Sequence, residues 1–121
     1  MAVSHDLGFK GEDLAAEHLK KSGYRILNRN WRAGKLEIDI IAENKDFVVF
    51  IEVKTRSEDF LIDPKTAVNK EKQRSMVYAA DTYIKRNNID KESRFDVITV
   101  IRKGDSHQID HMEDAFYPTL K

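Results

Sequence analysis

The spacing of apolar and polar residues changes several times along the chain, and each spacing predicts one kind of element. Near the N-terminus, apolar residues recur on one helix face, which predicts a first helix over 6–22. A second, longer helix is predicted to begin with an N-cap at Asp63-Pro64 and to end near Asn87. Its apolar stripe consists of Met76, Val77, Ala80, Tyr83 and Ile84.

Five shorter segments have the pattern of strands. The segment 47–53 (FVVFIEV) is apolar on both faces, as expected of a central strand covered on two sides, and 36–43 alternates like a half-buried strand. The predicted strands cover 24–33, 36–43, 47–53, 95–101 and, as a short edge strand, 108–111. The order helix, three strands, helix, two strands predicts a single α/β layered domain over residues 1–121.

Composition narrows the class of protein. Hydrophobic residues make up 40% of the chain and charged residues 35%, as in ordinary globular proteins. No apolar run approaches the roughly 20 residues that cross a membrane, and the N-terminus lacks the apolar core of a secretory signal. The chain has no cysteine, which excludes disulfides and thiolate metal ligands. These features predict a cytoplasmic protein without a membrane partner. A homodimer is compatible with the sequence, which does not itself show one.

The charges balance in number but not in position. Lysine and arginine together number 21, as do aspartate and glutamate. The segment 18–36 holds six cations and no acid, whereas acids concentrate over 37–46 and 105–114. Such segregation could present a basic face to nucleic acid beside an acidic metal site. On charge alone, chance clustering on a solvated surface is the favoured interpretation.

In the second and third predicted strands, carboxylates stand where apolar residues belong. With Lys45-Asp46 at the centre of a hairpin loop, Asp39 lies opposite Glu52, because side chains alternate with period 2. The same register places Glu37 opposite Lys54. Glu52 and Lys54 share a face within the most apolar strand of the chain. The competing explanation is a surface ion pair, Glu52–Lys54 or Glu37–Lys54, at a strand end.

A divalent cation would resolve the conflict between these acids. Two carboxylates close together oppose joint ionisation, and burial makes each charge more costly. Mg²⁺ or Mn²⁺ prefers oxygen ligands and is typically held by one or two carboxylates plus phosphate oxygens. The predicted metal ligands are Asp39, Glu52 and the Val53 carbonyl, with Lys54 facing the scissile phosphate. A cation there would activate water and neutralise developing charge, so the pattern indicates phosphodiester hydrolysis.

Each helix adds one residue to this predicted site. Glu12 falls on the inward stripe of the first helix with Ala16 and Leu19, which makes it a candidate third metal ligand. The alternative is a boundary acid that reaches outward to solvent. Lys72 lies four residues before Met76 on the core-facing stripe of the second helix. It is a candidate phosphate contact, or else a packed stem with its ammonium in water.

Together these residues resemble the PD-(D/E)xK nuclease superfamily and, more closely, the YraN-like family of predicted endonucleases. The likeness covers nearly the whole chain. It is carried by Gly11-Glu12, Asn30-Trp31-Arg32, Glu37-Ile38-Asp39-Ile40-Ile41, Glu52-Val53-Lys54-Thr55-Arg56, Lys72 and Arg94-Phe95-Asp96-Val97. The resemblance implies a restriction-endonuclease-like three-layer core, with a mixed central sheet flanked by helices. As in archaeal Holliday-junction resolvases, to which the chain is also similar, it implies the catalytic set Glu12, Asp39, Glu52 and Lys54.

The leading hypothesis is therefore an endonuclease that uses Mg²⁺ or Mn²⁺ to cleave DNA, in branched or single-strand-containing forms, with RNA left open. Trp31 could stack on an unpaired base, although a lone tryptophan more often fills a core edge. Further nucleic-acid contacts are predicted at Lys72, Arg74, Arg56, Arg32 and Arg29. Two alternatives stay open: a non-catalytic nucleic-acid-binding module on the same fold, and an interaction protein whose site residues form surface ion pairs.

Overall fold

The computed structural model describes residues 3–57 and 68–116, with the side chains of the first helix described from Gly11 onward. Two helices and five strands follow one another in the predicted order. Their bounds are α1 Val3–Lys21, β1 Arg25–Ala33, β2 Leu36–Glu43, β3 Phe47–Ser57, α2 Lys70–Arg86, β4 Glu92–Lys103 and β5 Ser106–Phe116. Neither helix in the described ranges is long and apolar enough to span a bilayer.

The five strands form one mixed sheet. They lie side by side in chain order, from β1 at one edge to β5 at the other. The central pair, β3 and β4, is parallel, and the other three pairs are antiparallel. Parallel neighbours need a crossover connection, and α2 lies in the stretch of chain between them. The β3–β4 pair is the longest in register, from Phe47↔Glu92 to Ser57↔Arg102.

Hydrophobic clusters cover both faces of the sheet and make it the middle of three layers. On one face, α2 packs over side chains that include Phe50 and Phe95. On the other face, α1 packs over a second cluster that includes Ile51 and Ile98. Neighbouring residues of one strand enter different clusters because side chains alternate along it. The predicted α/β class is confirmed, and the layering is consistent with a restriction-endonuclease-like core.

The second helix begins later than predicted. Asn69 is its N-cap, and the side-chain oxygen of Asn69 accepts a hydrogen bond from the Lys72 backbone N–H at 2.8 Å. This bond satisfies one of the donors left open in the first turn. Asp63 and Pro64, where the cap was predicted, lie outside the described residues. Four residues of the predicted apolar stripe, Met76, Val77, Ala80 and Tyr83, are buried, and the fifth, Ile84, is partly buried.

The last strand is longer than the predicted edge strand at 108–111. It pairs with β4 from Lys103↔Ser106 as far as Phe95↔Phe116, with a shift of register between Phe95 and Val97. Asp114 adopts a positive φ of 55° close to this shift. The irregularity lets pairing resume beyond it. Backbone pairing along an exposed edge leaves no apolar alternation in the sequence, so the pattern understated the length of β5.

The sheet divides at one end, and this fork positions the candidate site. β2 pairs with β3 only from Glu43↔Val48 to Ile40↔Ile51. Beyond Ile40, β2 stays paired with β1, whereas β3 stays paired with β4. We call the opening between these two pairs the strand fork. Asp39 is the first residue of β2 beyond the last paired position, so it lies at the base of the fork.

A buried polar network ties β4 and β5 together on the α1 face. Asp96 is fully buried and accepts hydrogen bonds from the Arg94 guanidinium, His111 and the Asp114 backbone N–H, at 2.7–3.0 Å. Burial by itself would raise the pKa of Asp96, but these donors outweigh it and lower the pKa. Asp96 is thus the acidic partner of the Arg94 cation. His111 in turn contacts His18 of α1, with the two ring nitrogens 3.0 Å apart.

This network predicts a large effect of one acidic partner of Arg94 and a small effect of the other. Asp96→Ala should lower the free energy of unfolding by about 3–5 kcal/mol, because it removes the carboxylate that pairs most closely with the buried guanidinium. Glu113→Ala is the matched control, since Glu113 is exposed and its carboxylate lies 3.7 Å from Arg94. Its effect should stay within about 0.5 kcal/mol. Urea unfolding of both variants tests the prediction, and equal losses would contradict it.

Candidate metal centre at the strand fork

The β2–β3 turn sets the register that brings Asp39 level with Glu52. The Asn44 backbone N–H donates to the Phe47 carbonyl at 3.0 Å, so Lys45 and Asp46 form the centre of the turn, as predicted. The Asn44 side chain closes the turn by accepting from the Asp46 and Phe47 backbone N–H groups. Continuing the pairing by one position beyond Ile40↔Ile51 places Asp39 opposite Glu52.

Asp39 bridges the base of the fork. Its Oδ2 accepts a hydrogen bond from the Val53 backbone N–H at 2.8 Å, so a side chain makes the link to β3 where the regular pairing has stopped. The bond fixes the carboxyl of Asp39 next to the backbone that carries Glu52 and Lys54. Val53 thus enters the site through its N–H. The role of its carbonyl as a metal ligand stays a prediction.

The two carboxyl groups are in contact and poorly solvated. Glu52 is 6% exposed, and Asp39 is half-buried. Burial raises the pKa of Asp39 to about 7. The negative charge of Glu52, a hydrogen bond between the two carboxyl groups and the negative charge of Glu12 raise it further. The hydrogen bond from the Val53 backbone N–H has the opposite effect and lowers the pKa. With a pKa near 7, Asp39 is partly protonated at neutral pH.

Two lysines from different layers reach the oxygens of Glu52. The Lys54 ammonium lies 3.1 Å from Oε2, and the Lys72 ammonium, carried by α2, lies 3.7 Å from Oε1. Lys54 shares the α2 face of β3 with Glu52, as the alternation predicted. Both lysine side chains are only partly exposed, at 25% and 33%. The site therefore has two cations held against one carboxylate at the edge of solvent.

Glu12 approaches from the α1 layer but has partners of its own. Its Oε1 accepts hydrogen bonds from Arg29 Nε at 3.1 Å and from Asn30 Nδ2 at 3.0 Å. Glu12 lies close enough to Asp39 to raise its pKa. Asn30 has a positive φ of 52°, which turns its side chain to the same layer as that of Arg29. The fork thus collects acids from α1, β2 and β3.

Gly11 lets α1 come close enough to place Glu12 there. A methyl group built on Gly11 would lie 2.2 Å from the Thr55 hydroxyl oxygen, far inside van der Waals contact. Only glycine permits this approach of the helix to β3. Neither the contact nor the Arg29 and Asn30 partners of Glu12 was predicted. The sequence feature that could have indicated these contacts is Asn30, an asparagine in the middle of a predicted strand.

Two details of the predicted register are wrong. Glu37 does not lie opposite Lys54, because β2 has already left β3 at that point, and Glu37 pairs instead with Arg32 at 3.1 Å. Strict alternation along β2 also fails. Ile38 packs in the α2 cluster, whereas Ile40 packs in the α1 cluster. The change of face falls at Asp39, where the side chain replaces the regular ladder.

Most of the arginines predicted to contact nucleic acid have partners within the chain. Arg29 is bound to Glu12 and, at 2.7 Å, to Asp13. Arg32 is exposed on the β1–β2 hairpin beside its partner Glu37. Arg56 is half-buried and donates to the Thr55 carbonyl. Of the six cations in the basic segment 18–36, the three arginines form ion pairs with acids of the chain. The roles of these arginines toward nucleic acid stay predictions.

Trp31 and Arg74 occupy different surroundings. The Trp31 ring packs edge-to-face on Tyr83 of α2, with ring centroids 5.3 Å apart, and lines the edge of the α2 cluster. This is the core-edge position that the sequence left as the alternative to base stacking. Arg74 is exposed on α2, two residues after Lys72. It is the predicted contact that extends the lysine pair along the helix surface.

The acids of the fork do not form a closed metal cage. Within 3–57 and 68–116, no three carboxylates or imidazoles are grouped so as to hold a metal ion. What the fork offers is one close carboxyl pair, Asp39 with Glu52, and a third acid held nearby. Hard cations such as Mg²⁺ keep several waters and bind through one or two carboxylates. The donor set fits such a cation and not a structural zinc site.

Comparison with known proteins places this fork within a described family. The model of the "Uncharacterised protein family UPF0102" matches residues 11–100, which include every residue of the candidate site. The chain is similar to the UPF0102 protein of Parabacteroides distasonis, with 49% identity over 117 residues and 97% of both chains covered. It is 47% identical to one from Bacteroides fragilis (99% of both) and 45% identical to one from Flavobacterium psychrophilum (97% and 98%).

The raised pKa of Asp39 predicts how one substitution changes stability with pH. The folded protein binds this proton more tightly than the unfolded chain, so the stability it contributes is lost as pH rises from about 4 through about 7. Asp39→Asn removes the titration. Without divalent ions, the melting temperature of the variant relative to wild type should therefore increase by about 8–12 °C between pH 5 and pH 8. Asp105→Asn, in the exposed β4–β5 turn, is the control and should show no such change. A constant difference for Asp39→Asn would contradict the prediction.

The close approach of α1 to β3 predicts a coupled pair of substitutions. Gly11→Ala should destabilise the fold by about 1–3 kcal/mol despite alanine's better helix propensity, because the methyl group meets the Thr55 hydroxyl. Thr55→Ala removes that oxygen and leaves a Cβ at 3.5 Å, an ordinary contact. The double variant should recover most of the loss in urea unfolding. Additive losses would show that the two residues do not meet.

Proposed function

The chain belongs to the uncharacterised protein family UPF0102, and from the geometry of its strand fork we propose that it is a divalent-metal-dependent endonuclease that hydrolyses phosphodiester bonds in DNA. One observation carries the proposal: Asp39 and Glu52 are in contact where water is scarce, with two lysines beside them. Two acids in contact away from water destabilise the folded protein when both are ionised. A cation bound between them would turn this repulsion into a stabilising interaction. We also assign the chain to the PD-(D/E)xK superfamily on these residues.

The chemistry of the donors supports Mg²⁺ or Mn²⁺ as the cation. All available ligands are oxygens, and a cation between the Asp39 and Glu52 carboxyl groups would relieve their mutual repulsion. Asp39 and Glu52 would hold it, with the Val53 carbonyl and Glu12 as further ligands. Glu12 would then bind the ion instead of Arg29, and the guanidinium would keep Asp13 as its partner. When bound, the ion supplies positive charge against the charge that develops on the phosphate and lowers the pKa of bound water.

The lysines act on the substrate from fixed positions. When Glu52 gives its oxygens to a cation, Lys54 loses its carboxylate partner and can donate to a non-bridging phosphate oxygen. The Lys54 ammonium in this position would stabilise the negative charge of the pentacovalent transition state. Lys72 reaches the other Glu52 oxygen from α2 and, with Arg74 further along the helix, extends the positive surface on which the phosphate backbone would lie.

The substrate is DNA with branched or single-stranded character. The β1–β2 hairpin leaves β3 at the fork, so the groove beside the acids opens between two separate strand pairs. Arg32 is exposed on the hairpin, and Trp31 lies at its base, partly exposed. These two residues would contact a DNA strand that enters the fork. A DNA substrate also agrees with the cytoplasmic location predicted from the sequence.

The second candidate function is nucleic-acid binding without cleavage. It is favoured by the hydrogen bonds that occupy Glu12 and by the lack of a closed three-acid group within the described ranges. Binding alone would weaken with salt through the lysine and arginine contacts and would not need a metal. It gives no role to the Asp39–Glu52 pair, since acids facing phosphates weaken binding. We therefore place it second.

The proposed activity predicts that Glu52 and Asp39 are indispensable for cleavage. With Mg²⁺ or Mn²⁺, the wild-type protein should cleave at least one of supercoiled plasmid, linear duplex and branched DNA, and chelator should stop the reaction. Glu52→Gln and Asp39→Asn should each lower the cleavage rate by about 100-fold or more, because each removes a charge that holds the ion. Glu37→Gln, an exposed acid on the adjacent hairpin, is the matched control and should retain activity.

Two results would count against the proposal. Cleavage that persists in Glu52→Gln would show that the activity comes from elsewhere or from a contaminant. Salt-sensitive DNA binding that is unaffected by Asp39→Asn, without cleavage of any form under either metal, would favour the binding module.

A further inference from the structure

Thr99 carries an unpartnered hydroxyl in the middle of the sheet. Thr99 is 5% exposed, and among the buried side-chain nitrogens and oxygens of the described ranges its Oγ1 alone lacks a hydrogen-bond partner. A buried hydroxyl without a partner is costly, and a valine of nearly the same shape would remove the cost. The surrounding strand is otherwise apolar from Phe95 to Ile101, except for the fully partnered Asp96. The oxygen thus calls for a role beyond packing.

The register of three strands places this hydroxyl beside the catalytic lysine. Thr99 pairs with Lys54 on β3 and with Asp110 on β5. Residues paired across strands share a face, so the three side chains form one row on the α2 face of the sheet. The preceding row on this face begins with Glu52, whose pair on β4 is Val97. Lys54 therefore lies between a carboxylate along its own strand and a free hydroxyl across to the next.

We propose that Thr99 is a positioning residue for Lys54: its Oγ1 accepts a hydrogen bond from the Lys54 ammonium once a divalent ion has taken the oxygens of Glu52. The inference rests on the proposed function and deepens it. In the metal-free protein the Lys54 ammonium lies 3.1 Å from a Glu52 oxygen, and the Thr99 hydroxyl has no hydrogen-bond partner. Metal binding exchanges one partner of the lysine for the other.

The exchange has a physical basis in the burial of Lys54. Its side chain is only 25% exposed, so an ammonium that loses its carboxylate needs a new acceptor within the protein or from the substrate. Thr99 supplies a neutral acceptor, which holds the ammonium in place without competing for its charge. Asp110, beyond Thr99 in the same row, adds a negative charge that draws the ammonium in that direction. Two of the three ammonium hydrogens remain for the phosphate.

A stability cycle tests the contact without relying on cleavage. The four proteins are wild type, Thr99→Val, Lys54→Met and the double variant, each melted without metal and with saturating Mg²⁺. Without metal, Thr99→Val should leave the melting temperature unchanged or raise it by about 3–5 °C, since an unpaired hydroxyl is removed. With Mg²⁺, Thr99→Val should reduce the metal-induced rise in melting temperature by about 3–5 °C in the protein that has Lys54. In the Lys54→Met background, Thr99→Val should leave the metal-induced rise unchanged. Thr82→Val, on the surface of α2, controls for the substitution itself.

The outcomes separate this inference from the proposed function. If Mg²⁺ and Mn²⁺ fail to raise the melting temperature of wild type, both the metal site and the inference are overturned. If the metal stabilises wild type but the two substitutions remain additive, only the role of Thr99 is overturned. In a cleaving enzyme, Thr99→Val should lower kcat about 10-fold with KM unchanged, and Thr99→Ser should restore it. Loss of activity in Thr99→Ser equal to that in Thr99→Val would also overturn the role.

Discussion

Two carboxyl groups in contact at the base of a fork, both shielded from water, repel one another whenever both are ionised. In this protein the conflict between Asp39 and Glu52 is set by the backbone, because the β2–β3 turn fixes the register and the Val53 N–H holds the Asp39 side chain in place. The pair can relax by retaining a proton, which accounts for the raised pKa of Asp39. A cation would relieve the same repulsion, so a proton and a metal ion would compete for the proposed site.

The placement of the third acid depends on both ends of α1. At the fork, Gly11 lets the helix touch Thr55, and Arg29 holds Glu12 against β1. At the other end, His18 meets His111, which is bound to the buried Asp96. The helix is thus fixed to β1 and β5 by polar contacts, and it meets β3 at Gly11 and through its apolar face. A displacement at the far end would reach Glu12 because a packed helix moves as a rigid element.

The sequence predicts the frame of this protein better than its site. Period-2 and helical spacing suffice for the order of the elements and for the common face of Glu52 and Lys54, because both follow from local geometry. The start of α2 was misplaced because Asp63-Pro64 and Asn69 are both good cap signals, and a local pattern does not rank them. The fork was not predictable, since it depends on where β2 stops pairing with β3. The partners of Glu12 were not predictable either, because the positive φ of Asn30 breaks the alternation of side chains along β1.

Two aspartates on this sheet differ in how far their surroundings satisfy the carboxylate. Asp96 is fully buried, yet four donated hydrogen bonds lower its pKa and tie the strands together. Asp39 is less buried, but a single backbone donor opposes two neighbouring acids, and its pKa rises. Burial alone therefore does not decide whether the pKa of an aspartate rises or falls. The balance of hydrogen-bond donors and neighbouring charges decides it. The sheet satisfies one acid completely and leaves the other unsatisfied at an opening beside two lysines, which is where an external cation would complete the set.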